Sequence, residues 1–289
     1  MIVVPGPASP NLGRKIASEL DVGTYPLEWR LFPDGESYIR YPIEIKGEDV
    51  ILVQSCPPPT DRHLMQLFLM AEGAKNVGAK RVSAVIPYLA YMRQDKIFRS
   101  GDVISIKTIA KLIELVGVEE IVTVDIHSNE AIAPFKIPVI NITAMPSIAA
   151  HLRDLSLRNP LILAPDKGAK YRASIVAEIL HTECDILDKF RDRVTGEVNI
   201  TKKDLDLADR DVVIVDDIIS TGGTISKAAE LALNQKARKV YVACTHALLI
   251  GDAKERLKNS GVVAVIGTDT IENETSIVSV APAIASIFR

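Results

Sequence analysis

Residues 212–224 read VVIVDDIISTGGT, which carries more structural information than any other part of the chain. Four β-branched residues predict a strand covered on both faces, and the hydroxyl residues and glycines that follow predict a loop that opens a helix. Glycine lets backbone N–H groups approach an anion, and a helix N-terminus carries partial positive charge. The two aspartates add acceptors at the strand's carboxyl end, where ligands bind in open α/β sheets. The pattern predicts a site for a phosphorylated sugar, and a plain strand, turn and capped helix is the alternative.

The rest of the chain repeats this alternation of strands and helices. Solid apolar runs of strand length occur at residues 50–53, 82–86, 121–124, 161–163, 212–215 and 240–243. Apolar spacing of three and four residues, typical of helices, occurs between them at residues 63–77, 104–116 and 224–234. This order predicts an α/β fold with mainly parallel sheets flanked by helices.

One strand–helix–strand pattern occurs twice. Residues 49–53 (DVILV) precede a loop, a helix and the strand at 82–85, and residues 211–215 (DVVIV) precede a loop, a helix and the strand at 240–243. This internal repeat predicts two similar α/β domains, residues 1–143 and 144–289. A chance likeness between two generic units is the alternative.

Charge and cysteine content limit the kinds of ligand and cellular compartment that the sequence favours. A net charge of −3 over 289 residues gives no basic excess for nucleic acid. Basic residues gather locally at 93–99 and 189–193, which fits a small phosphorylated ligand, although charge alone favours solvated surface. Three cysteines without a CxxC pair indicate a reducing, cytoplasmic setting. We expect no signal peptide and no membrane span, since no apolar run approaches about 20 residues.

The 212–224 stretch resembles the phosphoribosyl-diphosphate motif of type I phosphoribosyltransferases. The resemblance implies two domains of that fold, with Asp216 and Asp217 on the ribose 2- and 3-hydroxyls. The residues that it assigns to the 5-phosphate are Ser220, Thr221, Gly222, Gly223 and Thr224.

Four further segments, spread over nearly the whole chain, resemble the ribose-phosphate diphosphokinase family. That likeness implies transfer of the β,γ-diphosphoryl group of ATP to the 1-hydroxyl of ribose 5-phosphate, which yields AMP. In the first segment, Phe32 would stack on adenine, while Asp34, Gly35 and Glu36 complete the ATP-binding loop. A plain turn is the alternative, because Pro-Asp-Gly is a common turn sequence.

The second segment, residues 87–96, follows the 82–86 strand directly. The family likeness assigns Arg93, Gln94 and Asp95 to ATP. A planar guanidinium suits phosphate oxygens, which supports the assignment of Arg93.

The third segment, residues 121–128, implies a magnesium site. The metal residues by resemblance are His127 and Asp125, which at i and i+2 on a strand end would share one face. Imidazole is an unusual ligand for Mg²⁺, so His127 would act through water or the triphosphate.

The fourth segment, residues 161–173, adds Asp166 as a further metal carboxylate. Lys167 and Arg172 would face the diphosphate. The family shows Asp-x-Gly-Gly here, whereas this chain has Ala169 at the last position.

A basic segment follows the strand that contains Cys184. It is the feature that most clearly distinguishes this sequence from that of a phosphoribosyltransferase. Lys189 and Arg191 resemble the Lys-x-Arg of the family's catalytic loop, with Phe190 where relatives carry another basic residue. Lys189 and Arg191 are thereby implied in catalysis, and Arg191 also in ribose 5-phosphate binding. Alternation would bring both side chains to one side of an extended loop.

Three other interpretations remain open. A phosphoribosyltransferase explains residues 216–224 but not the Phe32 and Arg93 segments or the repeated domain. A non-catalytic paralogue would bind a true synthetase, and a nucleic-acid regulator would need an added basic domain. The resemblance also implies a cytoplasmic homo-oligomer.

Overall fold

The computed structural model describes residues 1–97, 99–187, 189–191, 198–200 and 205–289, with the backbone alone at 189–191 and 198–200. The chain divides into two compact units. The first unit comprises Met1–Thr143, Asp269–Glu272 and Ser279–Arg289, and the second comprises Ala144–Thr268 and Asn273–Val278. The predicted boundary after residue 143 agrees with this division, but the prediction for the C-terminal part is wrong. Residues 269–272 and 279–289 belong to the first unit and not to the second.

The first unit contains one parallel sheet and one antiparallel hairpin. Its elements up to residue 143 are β1 (Ile2–Pro5), α1 (Pro10–Leu20), β2 (Glu28–Leu31), β3 (Ser37–Arg40), β4 (Asp49–Val53), α2 (Thr60–Asn76), β5 (Arg81–Val85), α3 (Ser105–Leu115), β6 (Glu120–Val124) and β7 (Val139–Ile142). The strands β1-β4-β5-β6-β7 pair in that order, all in parallel. β2 and β3 form the separate hairpin.

The core of the first unit lies between this sheet and its helices. Leu67 and Met70 of α2 and Ile106 and Ile113 of α3 are fully buried. They fall at helical spacing of three and seven residues, so each helix turns one apolar stripe to the sheet. Burying each such side chain contributes about 1.5–3 kcal/mol.

The second unit repeats this architecture. Its elements, together with the last helix of the chain, are α4 (Met145–Asp154), β8 (Leu161–Ala164), α5 (Lys170–Leu180), β9 (Glu183–Ile186), β10 (Lys189–Arg191), β11 (Val198–Ile200), β12 (Asp211–Ile219), α6 (Gly223–Asn234), β13 (Lys239–Ala247), α7 (Ala253–Asn259), β14 (Val262–Thr268), β15 (Ser276–Val278) and α8 (Ala281–Ala285). The strands β15-β14-β13-β12-β8-β9 form a parallel sheet. α8 belongs to the first unit and packs on α1.

The repeat predicted from the sequence is confirmed by strand order. β1-β4-β5-β6-β7 in the first unit matches β8-β12-β13-β14-β15 in the second, and β9 extends the second sheet beyond β8. In each unit a hairpin lies between the helix after the first matched strand (α1 or α5) and the second matched strand (β4 or β12): β2–β3 in the first unit and β10–β11 in the second. These hairpins carry the segments assigned to ATP and to catalysis.

The predicted strands and helices are present, although their ends differ. β12 and β13 each run for 9 residues, because the strands continue past the apolar runs that marked them. Within the described part of the chain, no helix has the length and apolar character to cross a membrane.

Candidate active site

The two aspartates predicted as sugar ligands lie within β12, and the strand does not end before them as the sequence suggests. β12 continues through Asp216 and Asp217 to Ile219, paired throughout with β13 except at Asp217. Its pairing with β8 stops at Ile214, because β8 itself ends at Ala164. Both acids therefore lie at the carboxyl edge of the sheet, beyond the end of the neighbouring strand, where open α/β sheets bind ligands.

The acids form a crowded carboxyl cluster. Asp217 is buried and Asp216 is half-buried. Burial raises the pKa of Asp216 well above its ordinary value, and the charges of Asp217 and Asp166 raise it further. Arg172 opposes this repulsion, with its Nη2 3.5 Å from Asp217 Oδ2. Hydroxyl donors or a cation placed at these carboxyls would relieve the remaining repulsion.

Backbone N–H groups fix the orientation of both carboxyls. The N–H of Asp217 donates to Asp216 Oδ1 at 2.9 Å, and the N–H of Ile218 donates to Asp217 Oδ1 at 3.0 Å. Across β13 the partner of Asp216 is Cys244. Burial, followed by the charges of the two acids, raises the pKa of the Cys244 thiol, so this cysteine is a neutral part of the core.

Asp166 organises the turn between β8 and α5. Its Oδ1 accepts hydrogen bonds from the N–H of Gly168 at 2.9 Å and of Ala169 at 3.2 Å. Ala169 has φ −81°, an ordinary right-handed value, so alanine replaces the family's second glycine without backbone strain. Arg172 Nη1 donates to the Gly168 carbonyl at 3.4 Å, which links this turn to the acid pair. The side chain of Lys167 is exposed.

The hydroxyl and glycine loop opens α6 as predicted. Gly222 is the N-terminal capping residue of α6. Glycine suits this position for two reasons: φ is +73°, and a Cβ there would lie only 3.3 Å from Leu257. Ser220 and Thr224 are half-buried and Thr221 is exposed. α6 has no side-chain cap and no acidic residue in its first turn, which leaves its positive end able to bind an anion.

The predicted catalytic residues belong to β10. The backbone from Lys189 to Arg191 is extended and pairs in antiparallel register with Val198–Ile200. The side chains of Lys189 and Arg191 lie outside the described part of the chain, so their roles remain predictions.

The predicted adenine-binding loop is the tip of the β2–β3 hairpin. The N–H of Phe32 donates to the Glu36 carbonyl at 2.8 Å, and the N–H of Gly35 returns to the Phe32 carbonyl at 2.9 Å. Asp34 Oδ1 accepts from the N–H of Glu36 at 3.1 Å, which closes the turn. Gly35 has φ +93° in open space, so glycine is required by the backbone and not by crowding.

The Phe32 ring is oriented by two neighbours. The guanidinium of Arg30 lies over it at 5.2 Å from the ring centroid, and Tyr38 meets it edge to face at 6.1 Å. Phe32 keeps 39% of its surface exposed. The side chain is therefore both oriented and available for stacking.

The second predicted ATP segment lies between β5 and α3. Arg93 is exposed. Gln94 Oε1 accepts from Ser105 Oγ at 2.9 Å, and Asp95 Oδ2 accepts from Ser128 Oγ at 2.6 Å. These bonds tie the segment to α3 and to the loop after β6. A cleft of about 370 Å³ adjoins it, lined by Asp95, Lys96, Ile97, Ile104, Lys107, Glu130, Ala133 and Pro134.

The strand geometry predicted for Asp125 and His127 is wrong. β6 ends at Val124, and Asp125 has φ +42°, a left-handed conformation that breaks the alternation of side chains. Asp125 is 5% exposed and its N–H donates to the Ile142 carbonyl at 2.8 Å, whereas His127 is exposed. Their roles at a metal remain predictions.

No group of three His, Cys, Asp or Glu side chains suited to a metal ion comes together among the described residues. Of the predicted ligands, Asp125 and His127 belong to the first unit and Asp166 to the second. A metal at these residues would take further ligands from substrate or water.

One cation near the site escaped sequence reasoning. Arg256 of α7 brings Nη1 to 3.6 Å from where a Cβ on Gly223 would stand. From the sequence alone, Arg256 is expected to form an i,i+4 ion pair with Asp252, which is common on a solvent-exposed helix. Only the packing of α7 against the loop reveals its position.

Comparisons with known proteins agree with the whole-chain resemblance. A family model described as the N-terminal domain of ribose phosphate pyrophosphokinase matches residues 1–117, and a phosphoribosyl transferase domain model matches residues 137–282. The ribose-phosphate pyrophosphokinase of Saccharolobus solfataricus is 43% identical over 97% of both chains. That of Methanothermobacter thermautotrophicus is 45% identical over 98% of both. The crystal structure of phosphoribosylpyrophosphate synthetase from Mycobacterium smegmatis matches with a TM-score of 0.86 and 29% identity, covering 100% of this chain and 97% of that one.

Proposed function

Because the chain belongs to the ribose-phosphate pyrophosphokinase family, we propose that its first unit binds ATP and its second unit binds ribose 5-phosphate. The enzyme transfers the β,γ-diphosphoryl group of ATP to the 1-hydroxyl of ribose 5-phosphate. The products are 5-phosphoribosyl 1-diphosphate for nucleotide biosynthesis and AMP.

The proposed binding of ribose 5-phosphate rests on the acid pair, Asp216 and Asp217, beside the start of α6. Asp216 and Asp217 offer fixed acceptors for the ribose 2- and 3-hydroxyls, while residues 220–224 offer hydroxyl and backbone donors for the 5-phosphate. Acceptors for hydroxyls next to donors for phosphate match the two ends of one phosphorylated sugar. Arg191 would add a cation to the bound sugar phosphate.

ATP would bind at the hairpin tip and the 93–95 segment. Phe32 would stack on adenine, with the turn formed by residues 34–36 beside the base. Arg93, Gln94 and Asp95 would hold the phosphates and ribose. The proposal is supported by the partly exposed Phe32 ring and by the hydrogen bonds that hold Gln94 and Asp95.

Mg²⁺ is the divalent metal that we assign to the reaction. Carboxylate oxygens are hard ligands suited to it, and the raised pKa of Asp216 beside Asp217 and Asp166 fits a site that gains from a cation. In the second unit Asp166 would be a metal carboxylate together with substrate oxygens; in the first unit Asp125 would be one, and His127 would act through a bound water. When bound, the metal would neutralise charge on the phosphate oxygens.

Lys189 and Arg191 are the proposed catalytic residues. The 1-hydroxyl attacks the β-phosphorus of ATP, and AMP departs. Negative charge then grows on the oxygens around phosphorus and on the leaving group, and two cations aimed there lower the barrier. Each such contact contributes about 2–4 kcal/mol in the transition state.

The protein's setting follows the family expectation. We assign it to the cytoplasm as a homo-oligomer that acts on small molecules and contacts neither nucleic acid nor membrane. Its three cysteines without a CxxC pair and its net charge of −3 support this assignment.

A ³¹P NMR time course with ATP, ribose 5-phosphate and Mg²⁺ tests the reaction. We expect AMP and a new sugar diphosphate signal in equal amounts. ADP as the product would mean γ-phosphoryl transfer and would overturn the mechanism. Release of pyrophosphate from 5-phosphoribosyl 1-diphosphate only in the presence of a nucleobase would indicate a transferase instead.

A further inference from the structure

A guanidinium lies beside the loop assigned to the 5-phosphate. Arg256 Nη1 would be 3.6 Å from a Cβ on Gly223, at the first residue of α6. The same α7 brings Leu257 against Gly222, so the helix that carries Arg256 packs directly on the loop. The packing of Leu257 thus places α7 beside the loop, and the Arg256 side chain, which is 41% exposed, lies at its surface.

The two terminal nitrogens of this guanidinium, Nη1 and Nη2, have different environments. Both hydrogen bonds to Asp252, at 2.9 and 3.1 Å, use Nη2. Nη1 is the nitrogen on the Gly223 side. Arg256 thus meets its carboxylate partner through one nitrogen and presents the other to the loop.

Electrostatics explains why an anion belongs between these groups. The start of α6 carries partial positive charge, with no acidic residue in its first turn and no side-chain cap to offset it. A cation gains nothing from this end of a helix dipole. An anion is attracted by both, and the planar fork of arginine matches phosphate oxygens.

We propose that Arg256 binds the 5-phosphate of ribose 5-phosphate through Nη1 while Asp252 holds Nη2. The proposal rests on the assignment of residues 220–224 to the 5-phosphate in the proposed function. It adds a second cation, besides the proposed Arg191, to the backbone N–H groups and hydroxyls of residues 220–224. Arg256 thereby contributes to selection of the phosphorylated sugar over free ribose.

A purely structural role for Arg256 makes a different prediction. As the i,i+4 partner of Asp252, it would stabilise α7 by about 0.5 kcal/mol and no more. Loss of either partner would then have the same effect. If Arg256 binds phosphate, loss of Asp252 leaves the guanidinium in place, and the two substitutions differ.

The experiment compares matched variants of the full-length enzyme by steady-state kinetics and by calorimetric titration with ribose 5-phosphate. For R256A and R256Q we expect KM and Kd for ribose 5-phosphate to rise about tenfold, the usual effect of losing a charge-assisted hydrogen bond. KM for ATP should stay unchanged. D252A should not weaken ribose 5-phosphate binding, and K258A, which removes an exposed cation from the same helix, serves as the charge control.

Each outcome decides the matter. Equal effects of R256A and D252A, or an unchanged Kd in R256A and R256Q, would overturn the role of Arg256. A tenfold effect that shrinks at high salt supports it, because a partly exposed charge pair is screened. T221A, in the loop itself, distinguishes failure of the Arg256 proposal from failure of the assignment of residues 220–224 to the 5-phosphate. If T221A weakens ribose 5-phosphate binding but R256Q does not, the loop assignment stands and this proposal fails. If neither variant changes Kd, both fail.

Discussion

Replacing Arg172 with methionine tests the reasoning about the acid cluster most directly. The substitution keeps much of the side-chain volume and removes a positive charge that lies 3.5 Å from Asp217. Arg172 and Asp217 expose only 12% and 9% of their side chains, so water replaces the lost partner poorly. Asp166 and Asp216 then remain beside a buried carboxylate that has lost this counter-charge.

The magnitude follows from the distance and the burial. Two unit charges 3.5 Å apart interact by about 5 kcal/mol at an effective dielectric constant of about 20. Removing one partner of a buried ion pair typically costs about 3–5 kcal/mol. Because both side chains keep some solvent contact and the separation is long for a hydrogen bond, we expect a loss of about 2–4 kcal/mol. That corresponds to a fall in Tm of about 6–12 °C for a unit of this size.

The loss should depend on pH in a defined direction. The pKa of Asp216 is raised by burial and by its acidic neighbours, so the native state binds more protons than the unfolded state between the ordinary aspartate value and the raised one. Stability from such a group is present at low pH and falls as pH rises through the raised pKa. R172M adds to the excess negative charge, so its deficit should be larger near about pH 8 than near about pH 5.

Differential scanning calorimetry at both pH values measures the effect. The double variant R172M/D217N provides the matched control, because it removes the Asp217 charge together with that of Arg172. We expect it to recover most of the lost stability. A deficit that is equal at both pH values, and that D217N does not repair, would show that Arg172 acts by packing and would refute the electrostatic account.

Three further predictions concern other parts of the molecule. K189A should lower kcat about a hundredfold with Tm unchanged, as stopped-assay kinetics and calorimetry would show, and near-normal turnover would contradict its catalytic role. D216N should raise stability by about 1–2 kcal/mol at neutral pH and by less at acid pH, because it removes a carboxyl whose pKa is raised on folding; a pH-independent effect in thermal melts would count against this. E272A should cost about 1–2 kcal/mol, since Glu272 Oε1 accepts from two N–H groups at the start of α1 at 2.8 and 2.9 Å; E274A, which loses only an exposed ion pair with Lys254, is the control in urea melts.

The fold could be predicted because its signals are local. The β-branched runs at 50–53 and 212–215 predict buried strands whatever their neighbours are, and their repeat predicts the second unit. The hydroxyl residues and glycines at 220–224 predict a loop that opens a helix, and α6 begins at Gly223. These features depend on backbone preferences of single residues and need no tertiary information.

The site could be predicted only in part, because several contacts depend on packing. Asp125 and His127 carry no local mark of the positive φ that separates them from a regular strand. Arg256 looks like any solvated helical cation until α7 is packed on Gly222. Arg172 is expected at the diphosphate, yet its contact with Asp217 depends on how α5 lies against β12. Long-range juxtaposition of this kind leaves no periodicity in the sequence.

The two units share a fold, yet the end of β4 in the first unit, which corresponds to the end of β12 in the second, is closed. Five residues after Asp49, where the second unit has Asp216, the first has Gln54, which is fully buried; its Oε1 accepts the N–H of Ala8 at 3.0 Å. The next residue, Ser55, donates to the Thr270 carbonyl, and a carboxylate of the same unit already caps α1. These polar groups are satisfied inside the protein, so a sugar would have to break hydrogen bonds to enter. In the second unit, by contrast, the acids repel one another and the start of α6 lacks a side-chain cap. The difference between these two strand ends thus lies in which polar groups the fold leaves for a ligand to satisfy.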